Sequence, residues 1–182
     1  MDGEMDVQLV CSRDGKNWER VGDRRPVLER GQEGSWDSGL VWTGNSLLAD
    51  GDRVVAYYSG CERRPGALAR ASWPKSIGMA WWPKDRLVGL SAAGDGVVVT
   101  KPAPWGRELH LNADASRGSV TAELLREDGS VAPGFDAESC VPLAGRDSLD
   151  HKLQWRDGAS NVSEEGNAKG IRLRVRDAEV FS

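Results

Sequence analysis

Apolar residues in this chain recur mostly at every second position, in short runs closed by turn residues. They almost never follow the three- and four-residue spacing of an amphipathic helix. The clearest alternating or β-branched runs are 7–11, 39–42, 53–58 and 77–81, followed by 96–100, 108–112, 119–125, 149–155 and 170–175. Each predicts a strand, and no stretch of ~12 residues combines helical periodicity with capping residues. Between the runs lie Asp14-Gly15, Asp50-Gly51-Asp52, Asp95-Gly96, Asp128-Gly129 and Asp157-Gly158. Such pairs predict tight turns, because glycine takes a positive φ without a Cβ clash. The fold class that follows is all-β.

The alternation is most regular in the second half. Leu109 and Leu111, Val120, Ala122 and Leu124, and Ile171, Leu173 and Val175 each fall on one face of a predicted strand. Glu108, His110 and Asn112, Thr121 and Glu123, and Arg172, Arg174 and Arg176 fall on the other. A sheet packed on one side and wet on the other, as in a β-sandwich, produces this pattern. The arginine row reads either as a solvated face paired with acids across the sheet or as a surface for an acidic partner. Near residue 100 the character changes. Trp18, Trp36, Trp42, Trp73, Trp81, Trp82 and Trp105 precede the change and Trp155 alone follows it, while Pro102 and Pro104 disfavour a central strand. The expected organisation is therefore 1–93 and 94–182.

Composition narrows the function classes. With 24 basic against 28 acidic residues the net charge is −4, so the chain as a whole carries no basic nucleic-acid footprint. No run of ~18 apolar residues predicts a membrane span, and the acidic start at Asp2, Glu4 and Asp6 is unlike a signal peptide. Cys11, Cys61 and Cys140 are too few and scattered for a disulfide framework or a zinc site; Cys11 and Cys61 pair only if their strands are neighbours, and buried free thiols are otherwise expected. His110 and His151 are 41 residues apart, so a histidine-centred metal site is not expected; no cofactor is expected either, and whether an ion binds is left open by the sequence. Asn161-Val-Ser163 fits a glycosylation acceptor, whereas phosphate-loop, serine-hydrolase and zincin motifs are lacking.

Ser12-Arg-Asp-Gly-Lys-Asn-Trp18 follows the first strand directly, with Asp14-Gly15 making the turn and Trp18 expected to pack over the hairpin. Next come Gly34-Ser-Trp-Asp-Ser-Gly39, a strand, the Asp50-Gly51-Asp52 hairpin and Val54-Val-Ala-Tyr-Tyr-Ser-Gly60. This order resembles a blade of the five-bladed β-propellers of glycoside hydrolase families 32 and 43. The segment from Ile77 to Ser91 resembles the closing strand pair of such a propeller. The motifs around Leu109–Ala115, Leu124–Gly129, Pro133-Gly-Phe135, Glu138-Ser-Cys140, Asp147-Ser148 and Leu173–Phe181 are similar to its appended β-sandwich. The resemblance implies one or two C-terminal blades, incomplete, in 1–93 and a β-sandwich in 94–182. It implies carbohydrate as ligand, no nucleic acid or membrane partner, self-association through unpaired blade edges, and an extracellular or periplasmic parent. The chain has neither the W-M-N-D-P-N-G nor the R-D-P motif of family 32, and Cys61-Glu62 reverses its E-C pair. The expectation is thus the C-terminal portion of a glycoside hydrolase-like protein, catalytically incomplete alone. A non-catalytic carbohydrate-binding or structural module and a truncated gene fragment are the alternatives.

Glycoside hydrolysis requires two carboxyl groups at a set separation, one of them holding its proton near neutral pH. Asp37, flanked by Trp36 and Ser38, is the first candidate; its other reading is a turn cap bonded to backbone amides. Glu62, after Tyr57-Tyr58-Ser-Gly-Cys61, is the second; its other reading is a solvated loop acid beside Arg63 and Arg64. Trp36, Trp42, Tyr58 and Trp82 are the candidate sugar-stacking residues, or else they fill the wedge between blades. Trp81 and Trp82 are adjacent on one strand, so one of them leaves any one-sided core.

Overall fold

The computed structural model describes residues 4–62, 74–102, 108–156 and 168–181; among them, every regular element except one 3-10 turn at Gly22–Arg24 is a β-strand. The fold is all-β. The chain divides into two compact units, Met1–Val88 and Gly89–Ser182.

The first unit opens with a hairpin of two rungs. Strand β1 (Val7–Gln8) pairs with β4 (Pro26–Leu28), and β2 (Val10–Cys11) with β3 (Glu19–Arg20). Asp14 organises the tip: its carboxylate accepts the backbone N–H of Lys16 and of Asn17, both at 2.8 Å, and the Asn17 side-chain amide at 2.7 Å. The Asn17 and Lys16 amides, in that order, pull the Asp14 carboxyl far below the usual carboxylate range. Gly15 turns the chain at φ +71°. Trp18 does not cover this hairpin; it is 61% exposed, because β2 and β3 are two residues each and wholly exposed, leaving no apolar face to pack on.

A three-row antiparallel meander follows. Strands β5 (Leu40–Thr43) and β6 (Leu48–Asp50) lie end to end along one edge of β7 (Arg53–Cys61), and β8 (Ser76–Pro83) runs along the other. Residues paired across the ladder share a face. Val41 and Thr43 thus join Val54, Ala56, Tyr58 and Gly60, with Gly78, Ala80 and Trp82 beyond them. Leu40, Trp42, Val55, Tyr57, Cys61, Ile77, Met79 and Trp81 take the opposite face. Trp82 is part-buried and donates its indole N–H to the Val27 carbonyl at 3.2 Å, while Trp81 is the one that leaves the core, beneath the Arg53 guanidinium at 4.4 Å.

In the second unit, β9 (Gly89–Val99), β10 (His110–Asp114), β11 (Ser119–Arg126), β12 (Leu143–Ala144), β13 (Asp147–Lys152) and β14 (Ala168–Phe181) form one nearly closed, barrel-like sheet. Its spine is β14. One edge pairs with β9 almost throughout; the other pairs first with β11 and then with β10. Asp177, at φ 44°, sits between those two partners where the ladder with β9 also slips, and such a bulge lets a long strand bend around a core. The segment 77–91 is therefore no closing strand pair: β8 pairs with β7, and β9 with β14. Nor do Asp95 and Gly96 turn the chain. They continue β9 opposite Arg176 and Val175, because β14 is long enough to carry the pairing past them. Gly129 does turn, at φ +81°; Asp157-Gly158, Asn161-Val-Ser163, Arg63, Arg64, Trp73 and Trp105 lie outside the described residues.

The alternating apolar positions of 108–125 and 170–175 are all buried, around Trp155, Phe135 and Leu143. Glu123 departs from the pattern. It belongs to the polar face of β11, yet it is buried, because Arg172 and Arg174 close over it from β14 at 3.0 and 3.1 Å. Arg176 clamps Asp95 with two bonds of 2.6 and 3.1 Å. The arginine row is thus paired with acids across the sheet. No disulfide joins the three cysteines; Cys61 and Cys140 are buried, but Cys11 is exposed, in the short strand β2 that pairs with β3.

His151 makes the second unit sensitive to acid. The buried imidazole accepts a bond from Arg146 at Nδ1, 3.0 Å away, which puts the proton of the neutral ring on Nε2, a buried atom with no partner among the described residues. Burial first, then the Arg146 and His110 charges, hold its pKa below the ordinary 6.5. The unfolded chain therefore takes up a proton near pH 6.5 that the folded chain refuses. Stability from this group is complete above pH 6.5 and declines as the pH falls below it, by at most ~1.4 kcal/mol per pH unit. Urea unfolding at pH 7.5, 6.5 and 5.5 is expected to show this decline in the wild type and a smaller one in His151→Leu.

Candidate functional site

Three side chains singled out in the sequence meet on one face of the meander. Tyr58 projects from β7 and donates its hydroxyl to Asp37 Oδ2 at 2.9 Å; Ser35 donates to Asp37 Oδ1 at 2.8 Å. The Trp36 ring stacks on Tyr58, with centroids 5.6 Å apart and planes inclined by 19°. Asp37 is buried, whereas Trp36 keeps 40% of its surface in solvent. The turn that carries them is closed by the Ser35 N–H to the Gln32 carbonyl at 2.9 Å and the Ser38 hydroxyl to the Ser35 carbonyl at 2.8 Å. The Gly39 N–H then joins the Cys61 carbonyl at 3.0 Å, fixing the turn against the end of β7.

Glycine is what permits this density. A Cβ on Gly60 would stand 2.6 Å from Asp37 Cβ and 2.7 Å from the Trp36 ring. One on Gly78 would stand 2.5 Å from the Tyr58 ring, and one on Gly31 2.1 Å from Asp37 Oδ1. Three strands and loops thus offer bare backbone where the cluster sits. Desolvation raises the Tyr58 pKa, and the Asp37 carboxylate beside it raises it further, so the phenol stays protonated and remains the donor.

Gly31 also lines an open cleft of about 440 Å³, together with Glu4, Arg30, Glu33, Ser38 and Glu62. Arg30 crosses it, donating to the Ser38 carbonyl at 2.7 Å and pairing with Glu4 at 2.5 Å. Glu62 is exposed at this rim, just beyond β7. The other two candidates do not join the cluster. Trp42 packs on Leu40 and Cys61 on the opposite face of the meander, with the Lys75 ammonium 5.8 Å from its ring centre. Trp82 is held by the Val27 carbonyl.

A scan against protein-family models, a search of curated proteins and a search of solved structures each return no match to this chain. The site must be read from its own chemistry. Sequence reasoning passed over Ser35, Arg30 and the three glycines. Gly31, Gly34 and Gly39 bracket the Trp36-Asp37 pair closely in the sequence, and that density was the available signal. Gly78 gave none, because only strand pairing brings it under Tyr58.

Among the described residues no group of three or more metal-ligating side chains gathers. The cleft offers the Glu4, Glu33 and Glu62 carboxylates, the Arg30 guanidinium, the backbone of Gly31, Gly34 and Gly39 and, beside it, an aromatic face. Such a surface accepts bonds from hydroxyls, donates to oxygens and stacks flat C–H faces.

Proposed function

We propose that the chain is the C-terminal portion of a glycoside hydrolase-like protein and that its first unit holds poly- or oligosaccharide at the cleft that Gly31 lines beside Asp37. The observation that supports this most is the buried Asp37 carboxylate, clamped by Tyr58 and Ser35 beneath the half-exposed Trp36. In this reading Trp36 stacks on a sugar ring. Glu33 and Glu62 accept from its hydroxyls, and Arg30 donates to hydroxyl or ring oxygens. Hydrolysis calls for two carboxyl groups flanking the bond, and Asp37 is the one carboxyl of the described cleft region that is buried. The chain alone binds sugar and does not cleave it.

Titration of the full chain with a panel of neutral and acidic oligosaccharides, read by calorimetry and tryptophan fluorescence, tests the proposal. One class is expected to bind with Kd on the order of 0.1–1 mM, and Trp36→Ala to weaken it about tenfold or more. Reducing-end release stays at background. Absence of binding across the panel, or binding indifferent to both Trp36→Ala and Asp37→Asn, would sink it.

A second reading has its own support, since both Asp37 oxygens are already engaged within the chain. The cluster is then a pin that holds the 31–39 segment on β7. Under that reading Asp37→Asn lowers stability, and no glycan binds the wild type.

A further inference from the structure

On the meander face opposite Tyr58, Leu40, Val55 and Cys61 are buried, but an apolar patch beside them stays open. Tyr57 is 54% exposed, Met79 58%, Trp81 50% and Ile77 77%. The ladder makes them one patch: Tyr57 lies directly across from Met79, with Trp81 and Ile77 two residues to either side on β8. Leu48, opposite Val55 on β6, extends it. We propose that this face is the interface of a homodimer, with a second copy of the chain as its occupant.

Four arguments favour that occupant. The exposed side-chain surface of the four residues is roughly 500 Å², at the top of what a monomer ordinarily exposes in one patch. With Leu48, Arg53 and Lys75 around it, the area approaches the ~800 Å² per partner of a standard interface. The residue types, Trp, Tyr, Met and Arg, are those enriched in the cores of protein interfaces, and Trp81 already carries the Arg53 guanidinium on its ring. Charge is placed for a two-fold contact. Asp50 and Asp52 flank the β6–β7 turn at one end of the meander, and Lys75 precedes β8 at the other, all exposed. A two-fold axis lying across the strands brings the Asp50–Asp52 turn of one copy toward Lys75 of its partner, so that one patch serves both sides. This inference uses the face away from Asp37 and is independent of the carbohydrate reading.

Sedimentation of the full chain across a concentration series is the test. The wild type is expected to be dimeric at about 50 µM. Ile77→Asp combined with Met79→Asp should raise the dissociation constant roughly 100-fold, while Leu90→Asp, at an exposed position of the second unit, leaves it unchanged. Far-UV circular dichroism establishes that the variants are folded. Should the double variant not fold, oxidation of Tyr57→Cys in a Cys11→Ser background decides the matter, since a residue near the axis forms a cross-linked dimer. A wild type that stays monomeric at about 200 µM overturns the proposal. So does a dimer that survives the double substitution, which would place the contact at strand edges instead, and so does failure of the cysteine variant to cross-link.

Discussion

Replacing Trp155 by alanine is expected to destabilise the second unit by ~3–5 kcal/mol, the largest single effect in the molecule. The indole is 2% exposed. It meets Phe135 edge-on, with ring centres 5.0 Å apart and planes at 67°, and donates Nε1–H to the Ala122 carbonyl at 3.2 Å. It also stands where the 139–141 segment is fastened down: Val141 donates to Gln154 and Arg156 to Ser139, at 2.8 and 2.7 Å. Truncation therefore removes core volume and aromatic contact together, at a point where Leu124, Leu143 and Cys140 cannot all move in to fill the space. For a unit of this size the melting temperature should fall by roughly 15–30 °C, and Trp155→Phe, which keeps a ring against Phe135, by less than half as much. Thermal unfolding followed by far-UV circular dichroism measures both. A shift of ~3 °C or less for the alanine variant would mean that the core is not organised around this residue.

Gly60→Ala should be the most damaging change in the first unit. The added methyl falls 2.6 Å from Asp37 Cβ and 3.2 Å from its Cα, so the obstacle includes backbone and no side-chain rotation relieves it. Either β7 or the Trp36-Asp37 turn must withdraw. Overpacking of this kind costs about 1–3 kcal/mol. The functional loss should exceed the thermodynamic one, because withdrawal breaks the Tyr58–Asp37 bond and the Trp36–Tyr58 stack together. Oligosaccharide binding is expected to disappear, and cleavage by a nonspecific protease within 31–39 to accelerate. Gly44→Ala is the matched control: its Cβ would meet nothing closer than the Tyr57 carbonyl at 3.7 Å, an ordinary contact, and a change within ~0.5 kcal/mol is expected. Equal damage from both substitutions would show that the first unit tolerates no glycine replacement at all, and that the close packing at Asp37 is not special.

These two residues illustrate different degrees of legibility. The strand content was visible in the alternation itself, because a period of two leaves a sheet no choice about which side chains face the core. Leu109, Leu111, Val120, Ala122, Leu124, Ile171, Leu173 and Val175 are buried accordingly. Turns at Gly15, Gly51 and Gly129 were equally visible, since a positive φ beside aspartate is a local matter. At the candidate site, the aromatic-flanked Asp37 could be picked from its neighbours in the sequence, and Tyr58 from the apolar run that carries it.

What the sequence determined by itself was therefore the class of structure and the identity of the side chains that compete for its core. Tertiary structure decided the rest. Asp95-Gly96 carries a turn signal and yet stays extended, because β14 pairs through it. Glu123 has the position of a surface residue and is buried, because two arginines of a strand some fifty residues later fold over it. Trp42 and Trp82 are as aromatic as Trp36, but the register of β5, β7 and β8 sends one to the opposite face and ties the other to Val27. Periodicity is a property of neighbours along the chain. Which strand lies beside which, and whether a bare glycine waits opposite a ring, depends on contacts that only the closed fold brings into being.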